Sequence, residues 1–469
     1  MSKTKQKSID ELLKEALVPK DEQPYQVPEN WTYFYFTSIL DIQGGTQPPK
    51  SQFINEPKEG YIRLVQIRDF ASDDYLTYIP YTNKLRLIEE EDILIARYGA
   101  SVGRILTGLS GAYNVALAKV VYPKEHIYRK YLYWLLQTEH FQGPLKMISR
   151  SAQAGFNKND LSNIKLPLPP YNEQKRIAEK IERLFAKIDE AKRLIEEVKE
   201  SVELRRAAIL DRAFRGELGT NDPNEKGMLE ESNVITKRDI VPENEQLYEV
   251  PKNWIWVKAG NVTEVVGGGT PKTTVREYYE NGNVPWITPA DLSDFEGIYI
   301  SRGQRNITSE GLRNSSAKLL PAKTVLLSSR APIGYVAIAA NLLSTNQGFK
   351  SFIPSDVIDS EYLYWYLKKS KKYLEGMGSG STFKEISASK CKEIKIPLPP
   401  INEQKRISKR VGMLLNNLDR EKEMVLEVEE KLDLLKQSIL SKAFRGELGT
   451  NDPNDEHAIE LLKEVLKSK

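Results

Sequence analysis

Few residues in this sequence could carry covalent chemistry, and their spacing argues against it. There is one cysteine, Cys391, and there are three histidines, His126, His140 and His457, in 469 residues. That excludes a disulfide framework, a cysteine-based zinc module and the usual imidazole metal clusters. Leu168-Pro169-Pro170-Tyr171 resembles the Asn/Asp-Pro-Pro-Tyr motif that holds the target amine in amino-methyltransferases. Here leucine replaces the residue whose polar group would hold that amine, and a second copy reads Leu398-Pro399-Pro400-Ile401. No glycine-rich S-adenosylmethionine loop follows a strand. Gly267-Gly268-Gly269-Thr270-Pro271-Lys272 lacks the spacing of a phosphate-binding loop and reads as a tight turn. The chain is therefore read as non-catalytic, with no metal and no cofactor.

Charge adds little by itself. Lys plus Arg number 68 and Asp plus Glu 65, a net +3, which excludes binding driven by bulk charge but not by local patches. No run of 18 or more apolar residues exists, and the residues around Ser8-Ile9-Asp10-Glu11 have no signal-peptide core. The expectation is a cytoplasmic, multi-domain protein with no membrane association.

What positions the remaining polar residues is a repeat. Lys165-Leu166-Pro167-Leu168-Pro169-Pro170, followed by Asn172-Glu173-Gln174-Lys175-Arg176-Ile177, recurs 230 residues later as Lys395-Ile396-Pro397-Leu398-Pro399-Pro400 and Asn402-Glu403-Gln404-Lys405-Arg406-Ile407. At the same offset, Ala213-Phe214-Arg215-Gly216-Glu217-Leu218 returns as Ala443-Phe444-Arg445-Gly446-Glu447-Leu448. The segments between are helical: Asn172 reads as an N-cap, and Gly216 follows the last periodic residue. Ile177, Ile181, Leu184, Ile188, Ala191, Ile195, Val198, Val202, Arg205 and Ile209 keep a 4-3-4-3 spacing, as do Ile407 to Ile439 in the second copy. A 3.5-residue period over more than four heptads is a coiled-coil seam, here roughly 60 Å long. Two equal seams pair most naturally with each other, antiparallel. Centring that alignment on Val198 and Val428 sets Arg205 opposite Glu421, the two polar interruptions of the seams, as a register-fixing pair.

Upstream of each helix lies a region with weaker self-similarity: Tyr25-Gln26-Val27-Pro28 against Tyr248-Glu249-Val250-Pro251, Gly44-Gly45-Thr46 against Gly268-Gly269-Thr270, and Tyr131-Leu132-Tyr133-Trp134 against Tyr362-Leu363-Tyr364-Trp365. Short β-like runs alternate with Gly/Pro/Asn turns. The expected fold is α+β: two pseudo-repeated mixed α/β domains, each followed by a long helix, the helices forming an antiparallel coiled coil. The expected boundaries are an N-terminal helix (1–24), a first globule (25–165), a first helical spacer (166–216), a linker (217–247), a second globule (248–395), a second spacer (396–446) and a C-terminal helix (447–469). Glu460-Leu461-Leu462-Lys463-Glu464 repeats Glu11-Leu12-Leu13-Lys14-Glu15, so the arrangement has the logic of a ring. The terminal helices should lie together, and a circular permutant should fold.

At these motifs the chain resembles the specificity subunits of type I restriction-modification systems, over nearly its whole length. Pro285-Trp286-Ile287-Thr288, Leu327-Ser328-Ser329-Arg330-Ala331-Pro332, Thr345-Asn346-Gln347-Gly348 and Gly378-Ser379-Gly380-Ser381-Thr382-Phe383 are typical of their target-recognition domains. The first globule departs from that version, with Ile95-Ala96-Arg97-Tyr98-Gly99-Ala100-Ser101 in place of Ser-Ser-Arg-Ala-Pro, so the two globules should read different half-sites. The resemblance implies sequence-specific binding of double-stranded DNA at an asymmetric bipartite site. It also implies docking of two methyltransferase (modification) subunits and of restriction/translocase subunits. A coiled-coil interaction scaffold without DNA recognition is the alternative of a different class.

The second globule carries 19 Lys/Arg against 14 Asp/Glu, the first 16 against 14. Arg, Asn, Gln, Ser and Thr can reach base edges, while Lys and main-chain amides hold phosphates. The DNA-facing candidates in the first globule are Thr46, Lys50, Arg63, Gln66, Arg68, Arg97, Tyr98, Ser101, Arg104, Gln153 and Asn157. In the second they are Thr270, Lys272, Thr288, Ser329, Arg330, Asn346, Gln347, Ser381, Thr382 and Lys384.

Overall fold

The computed structural model describes residues 7–151, 155–218, 221–222, 224–231, 234–330, 332–380 and 384–468. The candidates Gln153, Ser381 and Thr382 lie outside them. The chain divides into two compact units that do not follow the linear order of the repeat: unit 1 comprises residues 1–194 and 427–469, unit 2 residues 195–426. Each takes one half of both long helices, Tyr171–Phe214 and Ile401–Ala443.

In unit 1 a four-stranded sheet is ordered Asp41–Gly44, Leu117–Val121, Leu94–Ala96, Ile105–Leu106. A second is ordered Tyr78–Pro80, Tyr61–Val65, Gly111–Tyr113, Leu87–Ile88. Unit 2 has a five-stranded sheet built around Val325–Ser329 and a three-stranded sheet built around Val284–Ile287. Beside these, each unit has an antiparallel ribbon: Thr32–Tyr35 with Lys165–Leu168, and Ile255–Lys258 with Lys395–Leu398. Pro167 and Pro397 are tolerated because a two-stranded ribbon is all edge. Their carbonyls accept from the phenols of Tyr131 (2.8 Å) and Tyr362 (2.6 Å), which explains the tyrosine that opens each Tyr-Leu-Tyr-Trp helix. Trp31 and Trp254 are core residues.

Each ribbon feeds a long helix through Pro-Pro. The first intrahelical bonds run from Gln174 N–H to the Pro170 carbonyl and from Gln404 N–H to the Pro400 carbonyl. Pro170 therefore stands at the N-cap, and Asn172, expected there, sits inside the first turn. The other helix ends repeat equally closely. Gly216 and Gly446 both have φ of 75°, and the N–H of the following glutamate closes on the carbonyl of Arg212 or Lys442, a Schellman turn. The side-chain-free face of each glycine packs against Pro251 or Pro28.

The long helices pack antiparallel against each other. In unit 1, Lys436 pairs with Asp189 (2.6 Å) and Lys192 with Asp433. In unit 2, Arg206 pairs with Asp419 and Arg205 with Glu421 (2.6 Å). Ile177, Ile181, Ile188, Val202, Ile407, Val411, Leu418 and Ile439 are buried. Cover along the seam is uneven: Ile195 is buried as well, whereas Val428 and Leu435 remain 45% and 47% exposed. The Arg205–Glu421 pair is also open to solvent (44% and 34%), so its electrostatic contribution is small.

The terminal helices Ile9–Ala16 and Ala458–Lys467 pack together and enter the same hydrophobic core in unit 1. Met228, Ile235 and Val241 take their place in unit 2, the first two within its hydrophobic core. Val18 N–H bonds the Tyr33 carbonyl in the first unit (3.0 Å), and Val241 N–H bonds the Trp256 carbonyl in the second (2.8 Å).

Candidate nucleic-acid interface

In each unit the polar candidates come together because loops converge at the end of a sheet. Hydrogen bonds make the two copies comparable. Gly45 N–H bonds the Leu117 carbonyl and Thr46 N–H the Tyr113 carbonyl; in unit 2 the matching donors are Gly268, to Phe349, and Gly269, to Thr345. The structural equivalent of Thr46 is thus Gly269, not Thr270, and the Gly-Gly-Thr match is displaced by one residue. Gly45 and Gly268 face backbone so closely that a Cβ would stand 2.1 and 1.9 Å from the carbonyl oxygens of Asn114 and Asn346. Only glycine fits there.

In unit 1, Arg97 lies over Tyr98 (5.2 Å) and donates through Nε and Nη2 to the Phe156 carbonyl at 3.1 and 3.0 Å. That fork ties the 97–101 loop, with Ser101, to the loop carrying Asn157, whose Oδ1 accepts from Asn159 N–H. Gln66 and Arg68 both reach the Thr77 hydroxyl, at 3.1 and 3.2 Å, and Arg63 donates to Asp73 at 2.9 Å. Beneath them Asp69 closes a turn on Gln66 N–H. Burial pushes its carboxyl up, against the pull of that amide and of Arg63 and Arg68. Lys50 and Arg104 project into solvent, where a phosphate could be met.

In unit 2, Thr288 and Asp291 build the same turn as Gln66 and Asp69, with Thr288 Oγ1 donating to Asp291 Oδ2 at 2.7 Å. Thr270 donates to Gln347 Oε1. Asn346 Oδ1 accepts from Gly348 N–H at 2.8 Å, and Arg330 forms an antiparallel bridge with Glu385, beside exposed Lys384. Lys272 is exposed as well. Ser329 has to be withdrawn. It is fully buried in its strand, with its hydroxyl donating to the Gly348 carbonyl at 3.1 Å, so no base edge can reach it in this conformation.

The convergence also contains residues that no sequence motif marks, Asn114 first among them. Asn114 N–H bonds the Val65 carbonyl as Asn346 N–H bonds that of Ile287, and its Oδ1 accepts from Ala116 N–H. The only signal was a strand ending in asparagine two residues before a small residue, and that pattern is common. Arg86, exposed and donating to the Gly44 carbonyl, is another such residue.

Below the loops, the Asn-Glu-Gln string anchors each helix to its globule. The Gln174 amide accepts from Tyr128 N–H and donates to the His126 and Pro169 carbonyls. Gln404 does the same with Asp359, Val357 and Pro399. Glu173 and Glu403 are wholly buried. Glu173 accepts from Trp31 Nε1 (3.0 Å), Thr450 and Asn451, so the tail of the second repeat closes unit 1. In unit 2 Arg406 bonds Glu403 and Glu225, so the tail of the first repeat closes that one.

Two recognition-type globules on paired helices define a class of DNA specificity proteins, and comparison with known proteins agrees. The type I restriction modification DNA specificity domain family matches residues 28–200 and 251–430, and the chain belongs to that family. It is similar to the type I restriction enzyme MjaIX specificity subunit of Methanocaldococcus jannaschii, 48% identical over 189 residues. That alignment covers 40% of this chain and 43% of the relative, less than half of either. The putative type I restriction enzyme MjaX specificity subunit of the same organism is 26% identical over 449 residues, 90% of this chain and 95% of that one. Among solved structures, the HsdS subunit from Thermoanaerobacter tengcongensis shares the fold, with a TM-score of 0.61 at 23% identity over 91% of this chain and 99% of that one. The chain is a specificity component, not an enzyme. Among the described residues no group of metal-ligating side chains occurs, and no helix is long and apolar enough to cross a membrane.

Proposed function

We propose that this chain reads an asymmetric bipartite DNA site in the cytoplasm, one half-site per unit, and docks two methyltransferase subunits together with restriction/translocase subunits. The observation that carries the reading is the contrast between a repeated framework and unrepeated loops. Gln174 and Gln404 make matching bonds, while Arg97–Tyr98 and Arg330–Glu385 share neither sequence nor bonding. Two different loop sets on one scaffold suit two different sequences. The exposed apolar residues Leu194, Leu204, Met413, Met424, Leu426 and Leu434 on the long helices suit protein docking better than solvent. Because the two helices have nearly equal length, the same sequence at both ends and matching exposed apolar residues at Leu194/Met424 and Leu204/Leu434, they supply two related surfaces, which supports two copies of one partner.

The test is to map methylated bases in cells that express the chain with its methyltransferase partner. Substituting Arg97 and Asn157 should change one half-site only, and substituting Arg330 and Gln347 the other. Removing one heptad from both helices should alter the unread spacer and leave both half-sites intact. A chain whose complex shows no salt-sensitive duplex binding would be a scaffold instead.

A further inference from the structure

The repeat exposes a difference that DNA reading does not use. In unit 2, Arg215 and Lys369 lie over the ring of Tyr248, at 4.6 and 4.5 Å. Asp211, one turn earlier on the long helix, bridges them: its Oδ2 accepts from Arg215 Nε at 2.8 Å and its Oδ1 lies 3.0 Å from Lys369 Nζ. The cluster is electrostatically closed. In unit 1 the same framework returns, with Arg445 over the ring of Tyr25 at 3.9 Å. The residue 230 positions after Asp211 is Ser441, and the lysine's place beside the tyrosine is taken by the turn that leads to His140, edge-on to Tyr25 at 5.1 Å. Among the described residues no carboxylate stands between them.

A cavity of about 330 Å³ opens at that point, lined by Tyr25, Thr138, His140, Gln437, Ser441 and Arg445 among others. Thr138 and Gln137 of its lining donate to the Leu135 and Tyr133 carbonyls, but the two groups nearest Tyr25 lack partners. The Arg445 guanidinium has no hydrogen bond among the described residues. His140 is 8% exposed, and its Nδ1 is buried without a partner, as is the hydroxyl of Tyr33 on its other side. Buried groups of this kind are rarely left unpaired in a native protein. Glu139, at the rim, is mostly in solvent and held by Lys146 at 3.2 Å, so it does not serve them. Burial, helped by Arg445, pushes the His140 imidazole down to about 4. With His140 neutral at pH 7, Arg445 is the one cation of the lining, and the Glu139 carboxylate at the rim is turned to Lys146.

We propose that this cavity binds a small carboxylate, which bridges Arg445 and the His140–Ser441 wall as the Asp211 carboxylate bridges Arg215 and Lys369. A planar group with two oxygens matches both the arginine fork and the geometry of the filled counterpart.

The probe is acetate, added to the full chain at pH 7 against chloride of equal ionic strength. Acetate should raise the melting temperature with half-saturation in roughly the millimolar range expected for so small a ligand. Ser441→Asp should raise the melting temperature in chloride and abolish the acetate increment, because the missing carboxylate is then supplied in cis. Arg445→Gln should abolish the increment without that gain, and Asp211→Ser should add a second acetate-dependent increment. Line broadening of ¹³C-acetate should follow the same pattern. An acidic side chain of a docked protein is distinguished from a free carboxylate by repeating the titration on the assembled complex, where a seated side chain removes the acetate effect. The proposal is overturned if wild type melts alike in acetate and chloride, or if Ser441→Asp leaves the acetate increment intact.

Discussion

Unit 1 and unit 2 solve the same folding problem with the same bonds and then diverge wherever a side chain is free of it. Gln174 and Gln404, Gly216 and Gly446, and Tyr131 and Tyr362 occupy matching places with matching partners. All of them satisfy main-chain groups where ribbon, helix and globule meet, and a buried amide or carbonyl left unpaired is costly. The buried glutamates belong to the same junctions: Glu173 accepts from Trp31, Thr450 and Asn451, and Arg406 is among the donors to Glu403. A carboxylate buried at that place has to be satisfied.

That comparison can be broken most forcefully at the helix ends. Phe214 packs on Tyr362 and Tyr366, both with ring centroids 5.1 Å away, while Phe444 packs on Tyr131 at 5.2 Å. Phe214→Ala and Phe444→Ala should each cost about 3–5 kcal/mol. Calorimetry should show each lowering the transition of its own unit; equal lowering of both would mean the units melt as one.

The next largest effect concerns acid. The imidazole of His140 is held near 4, below the usual histidine value of 6.5, first by burial and then by Arg445. A depressed histidine means that the unfolded chain takes up the proton first. Stability is thus full above about pH 6.5 and falls as the pH drops toward 4, by about 3 kcal/mol in all. The matching cluster in unit 2 has no histidine. Burial would raise the Asp211 carboxyl, but Arg215 and Lys369 outweigh it and hold it below its ordinary range, so that cluster weakens only at more acidic pH. Urea titrations between pH 4 and 7 should therefore show unit 1 softening first, and His140→Gln should flatten its profile.

Gln174→Ala and Gln404→Ala come third, at about 1–3 kcal/mol each, because both leave a buried main-chain N–H and carbonyls unpaired. Similar losses would sharpen the equivalence of the two junctions; a neutral Gln404→Ala would break it. The smallest effect is at the exposed Arg205–Glu421 pair. Exchanging both charges should leave the urea midpoint unchanged, while either single reversal should lower it slightly. A double exchange no better than the singles would remove any role for the pair in register.

Much of this was legible in the residues. Repetition at a constant offset announces two equal helices, glycine after the last periodic residue marks where each stops, and the lack of thiol, imidazole and phosphate-loop patterns points away from catalysis. Other features were hidden by physics that acts across the fold. Asn172 has the chemistry of an N-cap, but the chain leaves Pro-Pro already turning, and the Pro170 carbonyl takes the first bond. Ser329 has the chemistry of a base reader, yet it sits inside a central strand. The Gly-Gly-Thr strings look equivalent, but strand pairing shifts them by one residue.

The division has a physical basis. Periodicity, capping glycines and prolines act on the nearest few residues, so the sequence by itself determined the repeat, the two long helices, their antiparallel register and the family. Closure of each unit by the other repeat's tail, the covered and uncovered stretches of the seam, the convergence of loops from distant positions and the unfilled cavity beside Arg445 all depend on contacts between residues up to hundreds of positions apart. Only the tertiary structure decides those, because which buried polar group finds a partner is settled by what the fold brings within reach.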